Sequence, residues 1–265
     1  MTERITSLQN ERVKAVVRLR ERRHRDRAGQ MLVEGRDELR LALAAGARPL
    51  ALFICPEMAG EEGGDLARVR AAAGEEVEVS RPVFEKMAYR ENADGWLAVL
   101  PAVRRGLADL DPGARALLVV AEAVEKPGNL GALLRSADAA GATGVIVCDP
   151  ATDVNNPNTV RASRGALFAL PPVEASTAEA SAWLGARGIR IVAATPQAEV
   201  NYTAADLRGP VALAVGAEDV GLSEAWLEGA DVAVRIPMQG RVNSLNVATA
   251  AALLLYEAVR QRTGG

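Results

Sequence analysis

Three stretches in the second half of the chain combine glycines, side-chain amides, carboxylates and an arginine at spacings that suit ligand chemistry. The first is Glu125-Lys126-Pro127-Gly128-Asn129-Leu130-Gly131-Ala132-Leu133-Leu134-Arg135, in which Asn129 is placed to cap a helix. Gly128 and Gly131 stand seven and four residues before Arg135, on its face of that helix. Bare backbone beside a guanidinium suits a phosphate or a ribose. The local alternative is a plain turn with Arg135 paired to Asp138. In the second stretch, residues 211–223, an apolar run ends in Gly216-Ala217-Glu218-Asp219-Val220-Gly221-Leu222-Ser223. A Gly-rich turn with two acids at the carboxyl end of a strand is a usual ligand position in open α/β sheets, and equally an ordinary strand-to-helix turn capped by Ser223. The third, residues 236–250, runs from a strand through Gln239-Gly240-Arg241-Val242-Asn243 into a helix, for which Ser244 is a candidate cap.

The elements that must hold these stretches alternate. Apolar strands at 116–121, 144–148, 189–194, 211–215 and 232–236 are mostly separated by helical stretches, which predicts a parallel sheet covered on both faces. The helix from 245 is apolar almost all round to Tyr256. It needs cover on two sides, from its own sheet and from a second copy of the chain. Residues 101–113 interrupt regular structure with Pro101, Gly106, Asp111-Pro112 and Gly113. Before them lies a smaller alternation. A helix capped by Asn10 runs to about Arg27, strands are expected at 31–33, 50–55, 77–79 and 96–100, and helices at 36–45, 66–73 and after Ser80. The expected division is a first α/β domain at 1–105, a linker at 106–113 and a second domain at 114–265.

Composition narrows the chemistry. The 265 residues are 49% hydrophobic and 25% charged, the balance of a globular protein. No apolar run approaches the roughly 20 residues of a membrane span and no stretch reads as a secretory signal, so a soluble cytoplasmic protein is expected. Cys55 and Cys148 each sit in an apolar run, far apart, and are expected to be buried thiols. A lone His24 leaves little scope for a histidine-dependent triad or metal site, and no metal is expected. No Gly-x-Gly-x-x-Gly turn is present, which argues against a dinucleotide dehydrogenase. The net charge of −3 hides a division: residues 1–105 carry 19 Lys/Arg against 17 Asp/Glu. Residues 10–30 concentrate eight of those bases, among them Arg22, Arg23 and Arg25, against three acids. Such a local excess makes either a phosphate footprint or a solvated helix face.

Taken together, the three stretches resemble the three motifs of the SpoU (TrmH) family of RNA ribose methyltransferases. The first reads Asn-x-Gly-x-x-x-Arg through Asn129, Gly131 and Arg135. The second reads Gly-x-Glu-x-x-Gly-Leu through Gly216, Glu218, Gly221 and Leu222. The third reads Ile-Pro-Met at Ile236 to Met238, then Ser-Leu-Asn-Val-Ala at Ser244 to Ala248. Ile5-Thr6-Ser7 and Met31-Leu32-Val33-Glu34-Gly35 are similar, more weakly, to the family's L30e-like substrate-recognition domain.

The resemblance implies S-adenosylmethionine as methyl donor and the ribose 2′-hydroxyl of a structured RNA as acceptor. It implies a parallel-sheet α/β catalytic domain with a deep trefoil knot, beside a small L30e-like α/β domain. It also implies a homodimer through the C-terminal helix whose partner subunit helps complete the active site. Carried over residue by residue, Thr195, Gly216, Ile236 and Leu245 line the cofactor pocket, Gly216 by letting backbone approach it. Asn129, Arg135, Glu218, Ser244 and Asn246 form the catalytic set. A guanidinium with a pKa above about 12 is a poor base. Arg135 is therefore read as binding the phosphate beside the reacting hydroxyl, with that phosphate or a water taking the proton. Asn129 and Glu218 then order Arg135 and the ribose, while Ser244 and Asn246 hold the third loop. The separate first domain resembles the ribosomal branch, so 23S-type ribosomal RNA is expected over transfer RNA. A catalytically silent RNA-binding assembly protein would have no use for the intact Asn129, Arg135, Glu218 and Asn246 set.

Overall fold

The computed structural model describes residues 4–60 and 64–264; the outer limits of the expected domains, at residues 1–3 and 265, lie outside the described residues. Contacts divide the chain into two units. One comprises residues up to Val103 with Asp153–Ala169, the other Arg104–Thr152 with Leu170 onward.

The first unit contains β1 (Arg4–Ile5), α1 (Glu11–Arg18), α2 (Arg22–Ala28), β2 (Gln30–Glu34), α3 (Arg36–Ala44), β3 (Ala51–Ile54), α4 (Pro56–Ala59), α5 (Gly64–Ala72), β4 (Glu76–Val79), α6 (Arg81–Met87) and β5 (Trp96–Pro101). Its sheet has the order β1-β4-β3-β5-β2, with β5 antiparallel to both neighbours and the remaining pairs parallel. Alternate strand residues such as Leu32, Phe53, Val77 and Leu97 form one cluster with Val13 and Val16 of α1 and Phe84 and Met87 of α6. Asn10 caps α1 by accepting from the Arg12 N–H at 2.9 Å, and Gly29 ends α2 in the left-handed region at φ 63°. The single helix expected between them is two. Arg25 Nη1 donates to the carbonyls of Leu19 and Arg20, at 2.8 and 2.7 Å. A continuous helix would give those carbonyls to the N–H groups four residues on.

The second unit begins with β6 (Leu117–Glu122), α7 (Pro127–Ala139) and β7 (Gly144–Cys148). The chain then leaves it, and α8 (Pro157–Ser163) and α9 (Ala166–Ala169) pack on β2 and α3 of the first unit. It returns as β8 (Val173–Ala175), α10 (Thr177–Gly185), β9 (Arg190–Ala194), β10 (Val200–Asn201), β11 (Val211–Val215), α11 (Glu224–Gly229), β12 (Val232–Arg235) and α12 (Val247–Thr263). The excursion was not legible as such: the sequence reading carried one domain through from residue 114. Two contacts hold it in the first unit. Asp153 pairs with Arg25, and the Asn155 amide brackets the backbone of Val103, accepting at 2.7 Å and donating at 3.0 Å.

The seven strands of the second unit lie in the order β10-β12-β9-β11-β6-β7-β8, every adjacent pair parallel. β6, β7 and β11 are buried along their whole length, as expected for strands covered on both faces. No helix among the described residues is long and apolar enough to cross a membrane. The structure fixes which residues of α12 face outward. Leu254 and Leu255 are wholly buried within their own chain, and Leu253 and Tyr256, 38% and 52% exposed, face outward. The helix packs on α7 and β11 and continues to Thr263 with polar residues, so its apolar outer strip is narrow.

Candidate active site

α7 starts one residue beyond Lys126, with Pro127 at its first position, where a fixed φ and a missing N–H carry no penalty. Asn129 is therefore inside the first turn and not its cap, which frees the amide. Its Nδ2 donates to Glu218 Oε1, and its Oδ1 accepts from Asn246 Nδ2 at 3.1 Å. Asn246 Oδ1 in turn accepts from the Ala248 N–H at 3.1 Å. The cap of α12 is thus Asn246 and not Ser244, which is exposed. One residue from each of the three stretches meets at this point. The second oxygen of Glu218, Oε2, is buried without a donor. An unmet acceptor of this kind costs about 1–3 kcal/mol unless a ligand supplies the hydrogen.

Arg135 is exposed, one turn beyond Gly131, and has no partner among the described residues. The alternative pairing with Asp138 does not form. Of the two glycines on its face, Gly128 has open space around it, whereas Gly131 is buried. Thr195, Gly216 and Ile236 directly follow β9, β11 and β12, three adjacent strands, and so share one rim of the sheet. The Thr195 N–H donates to Val234 at 2.9 Å and its hydroxyl meets Gln197. Leu245, half-buried, precedes Asn246. Gly216 is small for a different reason from the one expected. A Cβ there would overlap the carbonyl of Gly221 and the nitrogen of Leu222, so the turn itself, closed by Gly221 at φ 73°, takes up the space.

One contributor escaped the sequence reading. Glu122, the last residue of β6, is 6% exposed. Its Oε2 accepts from the Ser223 N–H at 2.7 Å, and its Oε1 accepts from Ser223 Oγ at 2.6 Å and Thr177 Oγ1 at 3.1 Å. Ser223 does stand at the N-cap of α11, yet its hydroxyl serves Glu122 and not the helix. This carboxylate ties the end of the second stretch to the strand that leads into the first. Ala123 beside it is held at φ 50°, a strained conformation for alanine. The available signal was an acid ending an otherwise apolar strand. Burial pushes the Cys148 thiol up to about 12 and the Cys55 thiol up to about 11, so both are inert buried thiols, as expected.

In the first unit, Arg22 and Arg23 are exposed beside Asp26 and Glu21. Arg25 is not available to a phosphate. It is 2% exposed, donates through Nε at 2.9 Å and through Nη2 to Asp153, and gives Nη1 to two carbonyls.

A wholly parallel sheet whose polar loops converge beyond the carboxyl ends of adjacent strands defines a ligand-binding α/β enzyme. The rim of half-buried strand ends at Thr195, Gly216 and Ile236 fits a ligand such as S-adenosylmethionine, and the buried Glu218 oxygen lacking a donor among the described residues fits a ribose hydroxyl. Residues 116–256 match the SpoU rRNA methylase family, and residues 10–98 match the MRM3-like substrate binding domain. The chain belongs to the SpoU rRNA methylase family. It is 36% identical over 255 residues to the 23S rRNA (uridine(2479)-2′-O)-methyltransferase of Streptomyces viridochromogenes, across 92% of this chain and 87% of that one. A solved RNA 2′-O ribose methyltransferase superposes with a TM-score of 0.85 at 45% identity, covering 98% of this chain and 99% of the other. An AdoMet-bound rRNA methyltransferase from Sinorhizobium meliloti superposes with a TM-score of 0.88 at 33% identity, covering 98% of each chain.

Proposed function

We propose that Asn129, Glu218 and Asn246 orient a ribose whose 2′-hydroxyl receives a methyl group, while Arg135 binds the adjoining phosphate. The protein is an S-adenosylmethionine-dependent RNA 2′-O-ribose methyltransferase acting on 23S-type ribosomal RNA. The observation that carries the residue assignment is the meeting of the three motif residues around an unmet acceptor, Glu218 Oε2.

When bound, S-adenosylmethionine supplies a methyl group made electrophilic by its sulfonium. Thr195, Gly216, Ile236 and Leu245 hold it at the rim of β9, β11 and β12. Glu218 Oε2 accepts a hydrogen bond from a ribose hydroxyl and fixes the sugar. Fixing the ribose hydroxyl in one orientation would provide much of the acceleration, since positioning alone can contribute on the order of 7–11 kcal/mol. Arg135 has no protein partner to surrender, so its full fork is available to a phosphate, where it stabilises charge developing on the neighbouring oxygen. The proton passes to that phosphate or to water. Ser244, exposed two residues before Asn246, lies on the loop that leads into α12.

The knot is part of this reading. After β11 the chain crosses past β9 to β12, and α12 returns to α7 and β11, the route expected of a threaded C-terminal segment. A homodimer through α12 is also part of it, resting on Leu253 and Tyr256 at its outer strip. The direct test is mapping 2′-O-methyl groups in ribosomal RNA incubated with protein and S-adenosylmethionine. One new methylated ribose is expected, absent with Glu218→Ala; methylation of a base in its place would refute the assignment.

A further inference from the structure

The arginine cluster read from the sequence contains one residue that cannot touch RNA, and that residue shows how a larger surface is assembled. Arg25 and Asp153 form a pair that is 2% and 6% exposed. Asp153 opens the excursion that leads into α8, and its carbonyl accepts from Thr159 Oγ1 in the first turn of that helix. The pair therefore ties α2 directly to the start of α8, and both helices pack on β2.

With Arg25 consumed, α2 still presents Arg22, Arg23 and Arg27 to solvent, and α8 and its cap present Arg161 and Arg164. Arg27, Arg161 and Arg164 have no partner among the described residues. Exposed acids on these helices and their caps are only Glu21 and Asp26, and residues 154–169 contain none. Arg164 adds a separate indication. It caps α8 at φ 50°, ψ 39°, a conformation ordinarily given to glycine or asparagine. The following Gly165, at φ 89°, is accounted for, because a Cβ there would run into Leu41 of α3. Nothing in the packing calls for an arginine at 164, whose side chain is exposed and unpaired.

We infer that α2 and α8 form one composite phosphate-binding surface, in which Arg22, Arg23, Arg27, Arg161 and Arg164 contact the RNA backbone and the Arg25–Asp153 pair is the fastening beneath. The match to a substrate-binding domain ends at residue 98, so it does not include α8, which lies within the stretch matching the methylase family. The RNA-binding unit thus takes two of its five surface arginines from the methylase segment. Guanidinium groups spaced along two helices favour a polyphosphate chain over a compact anion.

This inference rests on the proposed RNA methylation, and the test separates the two. Two variants are compared with the unmodified protein, R22A/R23A/R27A and R161A/R164A, using an in vitro transcript of 23S ribosomal RNA across a salt series. Binding of S-adenosylmethionine and thermal unfolding serve as checks on the fold. Each variant should bind the transcript about tenfold or more weakly, with a shallower dependence of log affinity on log salt, because each lost phosphate contact removes about 0.7–0.9 from the slope. Normal affinity and slope for R161A/R164A, while R22A/R23A/R27A is impaired, would overturn the composite surface. So would normal affinity in both variants. If the unmodified protein itself neither bound nor methylated the transcript, the fault would lie in the RNA reading and not in the surface. Should an S-adenosylmethionine check fail for R161A/R164A, R161K/R164K must restore both that binding and most of the salt slope, and its failure to do so would count against the inference.

Discussion

The two units use arginine in opposite ways. In the first unit Arg25 is fully met by protein, while the wholly buried Glu34 keeps one oxygen without a donor among the described residues. Arg25 is bound by Asp153 and two carbonyls, and Glu38, 2% exposed, pairs with Arg90 at 2.6 Å. In the second unit, the motif residues satisfy one another only in part. Among the described residues, Glu218 keeps one oxygen without a donor, and Arg135 reaches solvent with no partner. A buried ion pair that is fully met holds elements together, and breaking it is strongly destabilising. A polar group left half-met at the carboxyl end of a parallel strand keeps its capacity for a ligand. The same residue type, arginine, is thus scaffold in one unit and reagent in the other.

The largest effect separating these roles is expected from the two arginines. Arg135→Ala should reduce methyl transfer by roughly a hundredfold or more and leave the melting temperature and S-adenosylmethionine affinity nearly unchanged, as measured by turnover, thermal scanning and titration calorimetry. Arg135→Lys should recover little, because a point charge does not replace a bidentate fork. Arg25→Met should do the reverse. It strands Asp153 in the interior, at a cost of about 3–5 kcal/mol, and whatever folded protein remains should still bind S-adenosylmethionine. If Arg25→Met lost RNA affinity with no loss of stability, the division between scaffold and reagent would be wrong.

A second contrast lies within α12. Leu253→Glu with Tyr256→Glu should yield a folded monomer with little activity, seen by light scattering, since both side chains face outward. Leu254→Glu should instead unfold or aggregate the protein, because it puts a charge at a fully buried position. A double variant that stayed dimeric would remove this face as the interface. Smaller still is the expected effect of Glu122→Gln. The amide retains one acceptor and turns a donor toward a second one, loosening Ser223 and with it the turn carrying Glu218. About a tenfold fall in kcat with little change in KM is expected. Ser223→Ala should give a similar fall, and combining the two should add little to either alone.

Much of the second unit was legible because its signals are local. Continuous apolar strands and Gly-bearing turns fix where β6, β7, β9 and β11 end, and the motif spacing picks out Asn129, Glu218 and Asn246. Their meeting was not legible, since it depends on the order β9-β11-β6 in the sheet. The caps went wrong at two helices: Pro127 took the first helical position that Asn129 was expected to precede, and Asn246 displaced Ser244. β8 and β10, three and two residues long, are too short to show a period. In the first unit, nothing local distinguishes Arg25 from Arg23. Only Asp153, 128 residues away, turns one of them inward, and the same distance hid the excursion of α8 from the sequence. At Gly216 the close backbone approach is that of its own turn, to Gly221 and Leu222, which no local signal foretold.

The most direct measurement of the central claim is ribose-resolved mapping of 2′-O-methylation on 23S ribosomal RNA transcribed without modifications. The RNA is incubated with S-adenosylmethionine and either the unmodified protein or Arg135→Ala. A single ribose methylated to near completion by the unmodified protein, and left bare by an Arg135→Ala variant that still binds S-adenosylmethionine, is the expected result. Equal methylation by both proteins, or no ribose methylation by a protein that binds the cofactor, would contradict it.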